Sequence, residues 1–232
     1  MKVAILLIGN VRTWDQLKDN FAEAFSHLDP DVFVSTYDIR YGYHPAVQQH
    51  IQDTEDTFLT EEQIVDMFKS VNAVVVNVEK IDRARELFET EIAKMHPDFV
   101  SHPHSYLQYR KIRLATTLME EYEKTNHIKY DYVIKARCDI SHNKVELDIE
   151  SKQILLSSGN LYPNDVFFAT NREDFVTMSK FFMSEFYKPI YSDSHERPPH
   201  NLLLNAIKYC GLDPIVRPIM QHVVRKNQIQ YY

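Results

Sequence analysis

The sequence predicts an α/β protein with a mainly parallel sheet flanked by helices, on three observations. Residues Val3 to Ile8 form an unbroken apolar run, the pattern of a strand covered on both faces. A segment of helical period follows, and a second apolar run, Asp31-Val32-Phe33-Val34-Ser35-Thr36, begins after the Asp29-Pro30 break. Strand, helix and strand in immediate succession favour parallel pairing through a crossover. A further run, Tyr132-Val133-Ile134-Lys135-Ala136, reads as a central strand ending in the polar Arg137-Cys138-Asp139.

The first helix is expected over 14–28, with Leu17, Phe21, Ala24, Phe25 and Leu28 on one face and Thr13 or Asp15 near its cap. Residues 37–57 show no clean period and read as a loop region. Thr60-Glu61-Glu62-Gln63 has the form of a capping box opening a helix through Phe68. The β-branched segment 73–78 is a third strand. Residues 82–94 read as helix, 96–104 as a loop with two prolines, and 105–124 as the longest helix, with Leu107, Ile112, Leu114, Ala115, Leu118 and Met119 as its apolar side. Strands at 154–156 and 166–169 flank the Gly159-Asn160 turn, and 172–186 is a helix with Phe175, Met178, Phe182 and Phe186 inside. After a loop, a short helix at 200–209 is closed by Gly211. From Val216 onward the chain reads as a tail of no assigned order. With no internal repeat, a single domain over 1–232 is the simplest partition.

At 232 residues, 44% hydrophobic and 25% charged, the chain can bury a full core without disulfides. A net charge of −7 leaves no excess of Lys and Arg to displace counterions, so nucleic acid is not an expected partner. The two cysteines, Cys138 and Cys210, make no Cys-x-x-Cys pair and are expected as free thiols in a reducing cytoplasm. The apolar N-terminus is too short for a signal sequence and runs into a Gly-Asn turn. No stretch approaches the roughly 18 apolar residues of a membrane span.

Ligands of open α/β sheets sit at the carboxyl ends of the strands. The first strand ends at Gly9-Asn10-Val11-Arg12, where glycine admits close backbone approach and Arg12 can pair with phosphate oxygens. A plain turn with a surface arginine is the other reading. The second strand ends at Tyr37-Asp38, a place for a ribose- or base-binding carboxylate beside a stacking ring, or for an ordinary loop aspartate. Arg137 and Asp139, two apart on an extended chain, point the same way. They offer a hard oxygen ligand beside a phosphate-binding guanidinium, or a simple ion pair. His96, His102 and His104 lack a carboxylate or cysteine at zinc spacing and read as loop residues. No Gly-x-Ser-x-Gly elbow, Walker loop or GxGxxG pattern is present.

Together these segments resemble a group of GT-A-like glycosyltransferases found in large DNA viruses and bacteria. The resemblance is carried by the first strand with its Gly-polar-x-Arg-Thr turn and by the Asp-Val-Phe-Val-Ser-Thr second strand. It is carried also by the helix opening Ser105-Tyr106-Leu107-Gln108-Tyr109-Arg110-Lys111 and by Tyr130-Asp131-Tyr132-Val133-Ile134-Lys135-Ala136-Arg137-Cys138-Asp139-Ile140, its most specific element. Pro163-Asn164-Asp165-Val166-Phe167-Phe168-Ala169 and Pro198-Pro199-His200-Asn201-Leu202-Leu203 are similar too, so the likeness spans 1–212. It implies a GT-A-like, Rossmann-related sheet with a nucleotide-sugar-binding half at 1–140, an acceptor-side half at 141–215 and a tail at 216–232.

The implied activity is transfer of a hexose or deoxyhexose from a nucleoside-diphosphate sugar to a hydroxyl of a glycan or glycoprotein. Arg137 and Asp139 fall on the place of the metal-binding D-x-D motif, with Arg where the first Asp would be. Related proteins often carry Pro-Glu where this chain has Pro199-His200. The expected donor-site residues are Gly9, Asn10, Arg12, Tyr37, Asp38, Gln108, Lys111 and Arg137. Mn²⁺ or Mg²⁺ is expected on Asp139 and His200, and Asp165 as general base. A cytoplasmic setting, that of the host for a viral protein, is expected. Two rival readings are a catalytically inactive nucleotide- or glycan-binding module and an α/β phosphoester hydrolase with Asp139 as nucleophile.

Overall fold

Both faces of the first strand are covered, which accounts for its unbroken apolar run. The computed structural model describes residues 1–11, 13–39, 58–92, 103–158, 165–186, 199–225 and 228–231. Its elements are β1 (Val3–Ile8), α1 (Trp14–Phe25), β2 (Asp31–Tyr37), α2 (Glu61–Phe68), β3 (Ala73–Glu79), α3 (Ile81–Leu87), α4 (Pro103–Asn126) and β4 (Tyr132–Arg137). They continue with β5 (Ile140–His142), β6 (Gln153–Ser157), β7 (Phe168–Asn171), α5 (Arg172–Phe186), α6 (Pro199–Cys210), β8 (Asp213–Arg217), β9 (Met220–Arg225) and β10 (Gln228–Tyr231). In β1, Val3, Ile5 and Leu7 enter one apolar cluster and Ala4, Leu6 and Ile8 another. That is the period-two alternation of an extended chain. Truncating a side chain as buried as Leu6 (0% exposed) to alanine would cost about 2–5 kcal/mol.

Among the described residues the main sheet has the order β3-β2-β1-β4-β7-β6-β8. Strands β3, β2, β1 and β4 run parallel, β7 is antiparallel to both β4 and β6, and β8 is parallel to β6. The fold is therefore α/β with a mainly parallel sheet and helices on both faces. Trp14, Phe21 and Phe25 of α1 join the Val3 side, and the Trp14 indole N–H donates to the Met67 carbonyl at 2.9 Å, tying α1 to α2. The capping box at α2 is present. The Gln63 N–H donates to Thr60 Oγ1 at 3.2 Å, and the Thr60 N–H donates to Gln63 Oε1 at 2.8 Å. On the other face lie Tyr109, Ile112, Ala115 and Met119 of α4, with Phe175, Met178 and Phe182 of α5.

The structure corrects the reading in three places. The helix expected at 82–94 starts at Ile81, whose N–H is capped by Asp38 from the end of β2, and passes into a π turn at Phe88–Ile92. The strand expected at 166–169 is β7, displaced toward Asn171, because its register is set by pairing of Lys135 with Phe168. The stretch from Val216 is not an unassigned tail. The 215/216 boundary falls inside β8, and β9 pairs antiparallel with β5 and β10 in a second sheet of order β10-β9-β5. These strands are short, and β8 includes Pro214, a residue confined to sheet edges. The partners of β8 and β9, β6 and β5, lie far back in the sequence, so no local pattern announces them. No helix of the described residues is long and apolar enough to cross a membrane.

Candidate functional site

The sheet changes direction of growth between β1 and β4. From β1 the chain steps outward through β2 to β3, whereas β4 lies on the other side of β1. Such a switch point opens a crevice beyond the carboxyl ends of the two strands. Ile8 pairs with Arg137 in the last register of the β1–β4 ladder, and the Cys138 N–H donates to the Ile8 carbonyl at 3.3 Å. Gly9 and the Arg137-Cys138-Asp139 segment are therefore brought together. Gly9 has φ +104°, a conformation for glycine, and a side chain there would meet open space. The Thr36 hydroxyl fixes the turn by donating to the Gly9 carbonyl at 2.7 Å. Asn10 is half-buried beside it, and Arg12 lies outside the described residues.

Arg137 and Asp139 form a side-on ion pair. Nε donates to Oδ1 at 2.8 Å and Nη2 to Oδ2 at 2.6 Å. The Asp139 side chain is the more buried partner, 4% exposed, and the Arg137 side chain the less buried, 26% exposed. Burial alone would lower the Arg137 guanidinium, but the Asp139 charge and its hydrogen bonds outweigh burial and hold it above its ordinary value. Between them, burial pushes the Cys138 thiol up and leaves it inert as a nucleophile.

Lys135 lies two residues before Arg137, so it points to the same face of β4. It is 0% exposed, and its ammonium donates to the main-chain carbonyl of Asp165. Burial lowers it to about 7, against the opposing pull of Asp165. The Asp165 carboxylate, half-buried, accepts from the Gln108 side-chain amide on α4. Because β7 runs antiparallel to β4, the residues just before Phe168 emerge at the carboxyl end of β4. Asp165 thus joins the crevice from the β7 side of β4.

Tyr37, Asp38 and Lys111 end up beneath the crevice. The Tyr37 hydroxyl donates to the Leu107 carbonyl at 3.1 Å, and the Lys111 ammonium covers its ring at 3.9 Å from the centroid. Lys111, 1% exposed, donates to the Thr36 carbonyl at 2.6 Å and pairs with Glu79 at 3.2 Å. Burial lowers it to about 8. Arg110 makes a two-oxygen contact with the same Glu79 carboxylate. The Asp38 Oδ1 accepts the Ile81 N–H at 2.9 Å, and Oδ2 lies 3.6 Å from Lys80. The sequence reading missed this Glu79–Arg110–Lys111 network. Its signal was two cations on a helix flanked by Leu107 and Ile112, with a glutamate ending a strand that is apolar but for Asn77.

The described residues do not fit a divalent cation. Hard cations of this kind take six or more oxygen ligands from carboxylates, carbonyls and waters. Asp139 offers one carboxylate whose two oxygens already accept from Arg137, and among the described residues no three His, Cys, Asp or Glu side chains come together. The side chain of His200, the second expected ligand, lies outside the described residues, as do His96, His102 and Asp193.

Fold and crevice together define an α/β protein with a mainly parallel sheet and a switch point between β1 and β4. No protein-family model matches the chain, and no curated protein matches it in sequence. Among solved structures, it is similar to the galactosyltransferase LgtC, determined in complex with donor and acceptor sugar analogues. The identity is 10% and the TM-score 0.41, over 89% of this chain and 70% of that one. Overlap at that level is no warrant for a shared activity.

Proposed function

We propose that the chain is a GT-A-like glycosyltransferase that moves a hexose or deoxyhexose from a nucleoside-diphosphate sugar to a hydroxyl of a glycan or glycoprotein. The observation that carries this reading is the meeting of Gly9, the half-buried Arg137 and Asp165 at one switch point. A diphosphate lying along Gly9 and Asn10 would accept hydrogen bonds from Arg137. Those bonds strengthen as the diphosphate leaves with the bond electrons, which is where preorganised positive charge lowers the barrier. Arg12, three residues after Gly9 in the sequence, is a second candidate donor. Asp165, held by Gln108, would take the proton of the attacking hydroxyl in an inverting transfer.

The phosphoester-hydrolase alternative is poorly served, since a nucleophilic Asp139 would have to leave both of its Arg137 hydrogen bonds. The inactive binding module differs from a transferase only in turnover. The test is incubation of the protein with a panel of nucleoside-diphosphate sugars and oligosaccharide acceptors, in Mg²⁺ and in Mn²⁺, following release of nucleoside diphosphate and the mass of the acceptor. Acceptor-dependent release with one added sugar supports the proposal. Nucleotide binding without release from any donor would support the inactive module instead.

A further inference from the structure

Given the nucleotide reading above, the geometry points to Arg137 as the resident counter-charge for the diphosphate, with Asp139 as its anchor, so that nucleoside diphosphates bind without a divalent cation. Arginine carries five N–H donors in one plane. The Nε–H and one Nη2–H are spent on Asp139, and the remaining edge belongs to the more exposed partner of the pair. The carboxylate that a cation would need is the more buried partner, with each oxygen already accepting from Arg137.

A cation at Asp139 would have to displace a guanidinium held side-on by two charge-assisted hydrogen bonds, or crowd a second positive charge against it. A diphosphate needs neither change. It finds a planar, pre-oriented fork whose rotation is fixed by Asp139, the arrangement that suits bidentate phosphate binding. Open space beside Gly9, the residue after the Ile8 that pairs with Arg137, gives it room to lie against the backbone. The buried Lys135, on the same face of β4, already has a carbonyl partner, so it does not compete for phosphate.

The test uses the full chain after dialysis against EDTA, with UDP, GDP, TDP and pyrophosphate as probes, in thermal shift and calorimetry, before and after adding Mn²⁺ or Mg²⁺. At least one nucleoside diphosphate is expected to raise the melting temperature in EDTA, by about 5–10 °C at a hundred times Kd. Added cation should change its Kd by less than about threefold. Arg137→Gln should weaken binding in EDTA by about tenfold or more, the scale of hydrogen bonds to a charged group. Asp139→Asn should weaken it too, because the guanidinium loses its anchor. Arg137→Lys, which keeps the charge and loses the fork, should fall between Arg137→Gln and wild type, and serves if Asp139→Asn does not fold. Binding seen only with Mn²⁺ or Mg²⁺, or unchanged by Arg137→Gln, overturns the inference while leaving the transferase reading standing. If no nucleoside diphosphate binds with or without cation, the nucleotide reading falls and this inference with it.

Discussion

Lys135 holds Asp165 by its main chain and not by its carboxylate: the buried ammonium donates to the Asp165 carbonyl, which leaves the side chain to the Gln108 amide. Asp165 is thus fixed from a strand on one side and a helix on the other. A carboxylate held in this way keeps its lone pairs directed and its charge available, as a general base requires.

The first prediction tests that role. Asp165→Asn keeps a carbonyl oxygen able to accept from Gln108, so the local fold should persist while the basic group is lost. Sugar transfer should fall by about a hundredfold or more, the usual contribution of a general base, with nucleotide-sugar affinity changed by less than about threefold. Calorimetric binding together with initial rates decides it. Equal losses in both would move Asp165 into the donor pocket.

Asp38 gives a second, contrary expectation. Its Oδ1 caps α3 through the Ile81 N–H, so Asp38→Ala should cost about 1 kcal/mol in urea denaturation, as for other lost helix caps. Nucleoside diphosphate affinity should stay within about twofold of wild type. Lost affinity at unchanged stability would return Asp38 to the ribose-binding role first expected of it.

The contrast between Asp38 and Asp139 shows what the sequence could and could not reveal. Strand, helix and strand were legible because Leu6 and its neighbours must alternate between two apolar faces, and because Thr60 and Gln63 sit at capping-box spacing. That Asp139 stands at a strand mouth followed from the apolar run before it. Whether such a carboxylate faces a ligand, a helix N-terminus or an arginine depends on partners distant in sequence. Asp38 meets Ile81, and Lys111 meets Glu79 and the Thr36 carbonyl. The strands β8 and β9 were hidden for the same reason, since β9 acquires its order by pairing with β5.

The Glu79 network yields a third prediction. Glu79→Ala leaves Lys111, 1% exposed, without its counter-charge, and Arg110 without its own. Breaking a buried pair from one side costs about 3–5 kcal/mol, chiefly the penalty of the stranded charge. Glu79→Ala with Lys111→Met should recover part of that loss, so the two effects will not add in a double-mutant cycle. Additive losses in chemical denaturation would mean that the pair does not interact across the α4–β3 contact.

The fourth prediction concerns pH. Burial lowers Lys135 from its ordinary value near 10.5 to about 7, so between these values the unfolded chain carries a proton that the folded chain does not. Stability then rises with pH through that window, by at most about 1.4 kcal/mol per unit; below 7 the full cost of the buried charge is present. The groups facing Lys135 are Asp165 from the segment before β7 and Arg137, Cys138 and Asp139 from the end of β4. His142 of β5 feels its charge as well. His142, lowered by burial to about 3, acts with the same sign but below 6.5, and Cys138, pushed up by burial, removes stability only above about 9. Lys111, lowered to about 8, contributes from 8 upward, but it is present in wild type and variant alike. The unfolding free energy of wild type minus that of Lys135→Met, from urea titrations at pH 7.0 and 8.5, should therefore grow by about 1.5 kcal/mol. Parallel curves for the two proteins would show that Lys135 is not carrying the proton change, and the clamp on Asp165 would then have to stay charged across the whole range.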